Sequence, residues 1–237
     1  MRKDLFYEKK KKSKKMLYIS LVIGGLILMS VFLRMPKISS IEDIQLGKTH
    51  ETISQESIVK DNFIVFFWYG CPHCLTAYTE MIDSGFIQKV ADSGMSIRKV
   101  PVAFGPTWTL HARMFYAFDK IGMTDAGHIA VMRSIQMSRV NTDEKLKDFV
   151  RNLSKRKGSK ISDFNYDVDA VISDMYSPRV NRLLKEDAVT VSAANVTGVP
   201  AVLVNGMHRI NLSPSVNKKD LPTVAYLLAT ENKEEGQ

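Results

Sequence analysis

Cysteine is nearly missing from this chain: 237 residues carry two, Cys71 and Cys74. That scarcity excludes the disulfide framework that staples small secreted domains. No cysteine follows the apolar run at 16–33, so a lipid-linked cysteine is excluded there as well. Zinc is short of ligands, because a structural site needs about four. His50, His111, His128 and His208 are scattered, with no i, i+3 or i, i+4 pairing, so no metal site is expected.

Acids are scarce at the start of the chain. Residues 1–15 hold eight basic side chains and two acidic ones, which is +6 of the formal net charge of +8. The other 222 residues are therefore close to neutral. A basic surface for nucleic acid is excluded, and the high pI belongs to a tail. Charge is absent altogether from residues 16–33, and no polar face interrupts them. At about 1.5 Å per residue this run spans roughly 27 Å, close to the thickness of a bilayer core. No Ala-x-Ala cleavage pattern follows it. The Lys-rich flank predicts an uncleaved signal anchor with its N-terminus in the cytoplasm and the rest of the chain outside. Disulfides persist in that outer compartment.

With 45% hydrophobic and 24% charged residues, what remains suits one folded domain with a full-sized core. Residues 34–60 read as a tether ending in a first short strand. Phe63–Phe67 is a continuous apolar run of strand length, as expected of a strand buried on both faces. After Cys74 the pattern turns helical, with Leu75, Tyr78, Met81 and Ile82 on one face. Residues 95–102 read as a second strand, ended by Pro101 and Gly105-Pro106.

Helical periodicity then runs from about 107 to 196. Its first stripe is Leu110, Met114, Phe115, Phe118 and Ile121, with Gly122 as the stop. Asn141 and Glu144 read as a capping box, and Ser177-Pro178 as an N-cap with proline at the first helical position. The basic run at 155–160 reads as a solvated loop. Ala201–Val204 returns to strand, Asn205-Gly206 predicts a type I′ hairpin turn, and 207–211 the return strand. A last helix is expected at 219–230. The segments are thus a tail (1–15), an anchor (16–33), a tether with a first strand (34–60), a first α/β part (61–106), a helical insertion (107–185), a second α/β part (186–232) and a short end (233–237).

The chemistry concentrates in Cys71-Pro72-His73-Cys74, where a strand leads into a helix. At a helix start, unpaired backbone N–H groups and the positive end of the dipole favour a thiolate. Cys71 takes that position, and Cys74, one turn on, is the resolving thiol. Pro72 fits the first turn, where its missing N–H costs nothing. His73 adds a hydrogen-bond-donating, partly positive group. A stabilised thiolate is a good leaving group, and its disulfide is correspondingly easy to reduce. Such a pair acts as an oxidant. An inert disulfide closing so small a ring would add little stability.

The segment Phe66-Phe67-Trp68-Tyr69-Gly70-Cys71-Pro72-His73-Cys74 resembles the active-site segment of DsbA-like thiol:disulfide oxidoreductases. Gly198-Val199-Pro200-Ala201-Val202-Leu203-Val204-Asn205-Gly206 resembles a second segment of that family. The resemblance covers about residues 40–230. It implies an α/β thioredoxin fold with an all-helical insertion, here preceded by a single N-terminal transmembrane helix. It implies that Pro200 is cis and faces the cysteines, that Val199 offers backbone groups to a substrate strand, and that no cofactor is needed. The implied partners are cysteine-containing exported polypeptides and a quinone-linked, DsbB-like membrane reoxidant. Family members can carry a buried acid on the strand before the active site. Val65 stands at that position here, while Lys99 matches the basic partner. Trp108 is a further candidate, for a substrate groove or for the core.

The leading expectation is a periplasmic, membrane-tethered oxidase. A pathway-dedicated reductase or isomerase, for assembly of a secretion or conjugation apparatus, is the second reading. Residues 34–60 leave it little room for a dimerisation domain. A non-catalytic peptide-binding chaperone is the third.

Overall fold

The computed structural model describes residues 50–53, 61–155, 164–211 and 218–231. The basic tail 1–15, the expected span 16–33 and most of the tether 34–60 lie outside them, as do 156–160 of the basic run and the end 233–237. Among the described residues no helix is long and apolar enough to cross a membrane. All of them belong to one compact unit, Ser40–Gln237.

Five strands form one sheet: β1 (Glu51–Thr52), β2 (Phe63–Phe67), β3 (Ile97–Pro101), β4 (Ala201–Val204) and β5 (His208–Asn211), in the order β1-β5-β4-β2-β3. β2 runs parallel to β3 and antiparallel to β4, and the other contacts are antiparallel. Every residue of β2 is buried. A strand covered on both faces needs no polar alternation, which is why this run read so plainly. β2 sits between β3 and β4, so the loop after Phe67 emerges from an interior strand of the sheet.

That loop feeds α1 (Pro72–Asp83), followed by α2 (Phe86–Asp92). The buried face of α1 is Cys74, Ala77, Tyr78 and Met81. Leu75 and Ile82, expected on that face, are only half-buried. The face is turned because Cys74 itself counts as apolar and leads the stripe.

The helical block comprises α3 (Pro106–Lys120), α4 (Asp125–Met137), α5 (Asp143–Ser154), α6 (Val168–Met175) and α7 (Pro178–Ala193). α3 is its hub, packing on α5, α6, α7 and β3, while α4 packs on α1. α3 stops in a Schellman motif: Gly122 takes φ 74°, its N–H bonds Asp119 O, and the Met123 N–H bonds Phe118 O. Ile121 is therefore past the last turn, and it is 43% exposed rather than part of the core stripe. The N-cap of α5 is Thr142, whose hydroxyl accepts from the Lys145 N–H. Asn141, the expected cap, accepts from the Lys145 ammonium instead. Ser177 caps α7 by accepting from the Val180 N–H, with Pro178 at the first position.

Asn205 and Gly206 both have positive φ, at 49° and 70°, and the Met207 N–H closes the turn on Val204 O at 3.0 Å. Met207 is consumed by this turn, so β5 begins one residue later than expected. The Asn205 side chain also donates to Ala229 O. That bond ties the hairpin to α8 (Leu221–Glu231), which packs on α1, α2, β4 and β5.

Candidate active site

Three residues after β2 form the approach to the cysteines. The Cys71 N–H bonds Trp68 O at 3.0 Å, closing a turn over Tyr69 and Gly70. A side chain at Gly70 would put its Cβ 2.3 Å from the Trp68 ring. That ring cannot yield easily, because it stacks on Trp108 at 4.3 Å and 9° and on His111 at 5.7 Å. Trp108 is thus part of the platform under the turn. It also packs with Val199 and Val191 against the cluster that contains Ile64, Phe66 and Val100.

Cys71 is the N-cap of α1. Its sulfur accepts from the Cys74 N–H at 3.2 Å. Both cysteines are free thiols in this structure, with Cys71 7% exposed and Cys74 1%. The Cys74 thiol hydrogen-bonds the Cys71 sulfur. Together with the Cys74 and His73 N–H groups and the Lys218 charge, it pulls the Cys71 thiol down to about 7 against the opposing effect of burial. Burial pushes the Cys74 thiol far above its usual range, and the Cys71 sulfur adds to the rise. One sulfur is therefore poised as a thiolate near neutrality and the other is held protonated beneath it.

Pro72 and His73 are both exposed. The His73 imidazole is turned to Lys218, with Nδ1 3.0 Å from the ammonium. The Val199-Pro200 bond is cis, and Val199 O lies 3.7 Å from Cys71 Sγ. The six residues singled out from the sequence (Cys71, Pro72, His73, Cys74, Val199 and Pro200) thus converge from two segments about 125 positions apart.

No family model matches the chain. Relatives do. The thiol:disulfide interchange protein DsbA of Azotobacter vinelandii is 26% identical over 198 residues, covering 80% of this chain and 85% of that one. DsbA of Pseudomonas syringae pv. tomato is 28% identical over 177 residues, covering 72% and 76%. In fold, crystalline Pseudomonas aeruginosa DsbA superimposes with a TM-score of 0.70 at 23% identity, over 83% of this chain and 98% of the other. Neisseria meningitidis DsbA1 gives 0.63 at 20% identity. The chain is a DsbA-like thiol:disulfide oxidoreductase.

In this DsbA-like frame, α4 grips the active-site segment at three points. His128 Nδ1 lies 2.6 Å from the Tyr69 hydroxyl. Gln136 Nε2 donates to Cys71 O at 3.2 Å. Asp125 accepts from the Tyr78 hydroxyl, one turn below Cys74. Asp125 also pairs with Lys99 at 2.6 Å. Val65 lies beside Lys99 in the β2–β3 register, so the acid that meets Lys99 comes from the helical insertion and not from the strand. Burial would raise the Asp125 carboxyl, but hydrogen bonds from Lys99 and Tyr78 hold it below the usual carboxylate range. These contacts escaped sequence reasoning. A signal existed: Asp125, His128, Met132 and Gln136 recur at helical spacing along one side of α4.

Proposed function

We propose that the chain is a disulfide oxidase tethered to the outer face of the cytoplasmic membrane, in the periplasm, where it oxidises cysteine pairs of exported polypeptides. A substrate thiolate attacks Cys71 Sγ of the Cys71–Cys74 disulfide. The S–S bond breaks, and Cys74 leaves with the electron pair and takes up a proton. The substrate's second thiolate then attacks its own sulfur in the mixed disulfide and expels Cys71 as a thiolate. Two electrons have moved from the substrate dithiol to the protein, which ends as the dithiol. Val199, with its carbonyl beside Cys71 Sγ, offers backbone groups to the incoming strand. Residues 16–33 supply the anchor. A quinone-linked, DsbB-like membrane partner takes the two electrons away.

The observation that carries this reading is the asymmetry of the two thiols. A Cys71 thiol drawn down to about 7 stabilises the reduced state, so the disulfide is readily given up. The test is thiol trapping in intact cells with a membrane-impermeant alkylating reagent. The chain should be in the membrane fraction, resist alkylation at steady state because the pair is a disulfide, and label from outside once a reductant is added. A dithiol at steady state, or labelling only after lysis, contradicts the proposal.

A further inference from the structure

Lys218 was not legible as a site residue, yet its ammonium lies 3.0 Å from the imidazole of the residue between the two cysteines. An ammonium has donors only, so His73 Nδ1 is the acceptor and the ring proton sits on Nε2. The Lys218 ammonium thus brings a positive charge beside the cysteine turn. His73 serves Cys71 through its backbone N–H, and Lys218 acts on the same sulfur by its charge.

The position of Lys218 is set by the scaffold. It opens the turn 218–220 that leads into α8, where the Val224 N–H bonds Asp220 O. α8 packs on α1, which carries the cysteines, and on β4, which follows Pro200. Lys219 and Asp220 flank Lys218 on the turn. Lys218 meets the cysteine motif through His73.

We propose that Lys218, held over the Cys71–Cys74 turn by His73, is the charge that stabilises the Cys71 thiolate and so biases the pair toward donating its disulfide. This rests on Cys71 being the nucleophile. It adds that the oxidising bias is supplied from the C-terminal part of the chain, at a distance of about 145 residues in sequence.

The experiment is a thiolate titration of the reduced full-length chain, followed by ultraviolet absorbance, with redox equilibration against glutathione. Lys218→Met should raise the Cys71 titration by about half a unit, the order expected of one solvent-facing charge near the sulfur. Lys218→Glu should raise it about twice as far, and Lys218→Arg should restore it. Above the titration, the equilibrium constant for oxidising glutathione should fall by about three-fold in the methionine variant, half a unit being that factor. Lys185→Met, the same charge change on α7, should leave both unchanged. In a His73→Ala background, Lys218→Met should shift the titration less, because the lysine is no longer held. If the wild type shows no thiolate near neutrality, the site reading itself fails. If it does, and the Met and Glu variants titrate like the wild type or Lys185→Met moves as far, the Lys218 proposal alone is overturned.

Discussion

Replacing Cys71 with Ser lowers the rate of dithiol oxidation by about a thousand-fold or more, to the uncatalysed level. The mixed disulfide is the only route by which electrons enter the pair, and an oxygen at position 71 cannot form it. Cys74→Ala has a different consequence. Cys71 remains at the N-cap of α1 with two backbone N–H groups directed at it, so it still reacts with disulfides. No second thiol is left to release the product, and a mixed disulfide accumulates that mass spectrometry detects. The same variant loses the thiol that hydrogen-bonds the Cys71 sulfur, the largest single influence on it. The Cys71 titration therefore moves up from about 7 toward the ordinary thiol range. An alkylation-rate profile that stays where it was would contradict the role given to Cys74.

Arg98→Met destabilises the fold by about 3 kcal/mol, which lowers the melting temperature by about 10 °C for a domain of this size. Arg98 on β3 donates to Asp187 on α7 at 2.8 Å, and the Tyr116 hydroxyl on α3 donates to the other carboxylate oxygen. The Asp187 side chain is 3% exposed. Removing the arginine leaves a carboxylate between sheet and helical block with one neutral donor. Surface pairs such as Lys147–Asp143, with both side chains more than a third exposed, contribute only about 0.5 kcal/mol. The effect has a pH signature. Burial already raises the Asp187 carboxyl despite its partners, and losing Arg98 raises it further. A raised carboxyl makes the folded state bind more protons than the unfolded one, so stability falls as pH rises through the folded value. The deficit of Arg98→Met relative to the wild type is thus full at neutral pH and shrinks toward about pH 4. Thermal unfolding followed by circular dichroism at the two pH values reads it, and a deficit that grows on acidification would contradict it.

What was legible in the sequence were the features that local chemistry specifies. β2 announced itself because both its faces are covered. The Asn205-Gly206 turn did so because positive φ at two successive positions selects those residues. The cysteine motif needed only its place between strand and helix. Boundaries failed where a neighbour competed for the role. Thr142 took the cap from Asn141 because Lys145 offered its backbone N–H to one and its ammonium to the other. Ile121 fitted the helical period but fell beyond the Schellman turn at Gly122. The site was half legible. Cys71, Cys74, Val199 and Pro200 belong to two recognisable segments. Gln136, Asp125 and Lys218 reach the site only through the docking of α4 and α8, and nothing in a linear reading brings them there. The position of Val65 shows the same limit. It suggested that the basic partner Lys99 had lost its acid, whereas the fold supplies Asp125 from another element.

A Cys71 thiolate at the N-cap of α1, above a still more deeply buried and protonated Cys74, makes the disulfide a donor. The most direct test is to equilibrate the purified full-length chain with glutathione redox buffers and measure the fraction oxidised. The pair should be half-oxidised on the oxidising side of about −200 mV; a more reducing value, toward the roughly −270 mV of thioredoxin, would contradict the account.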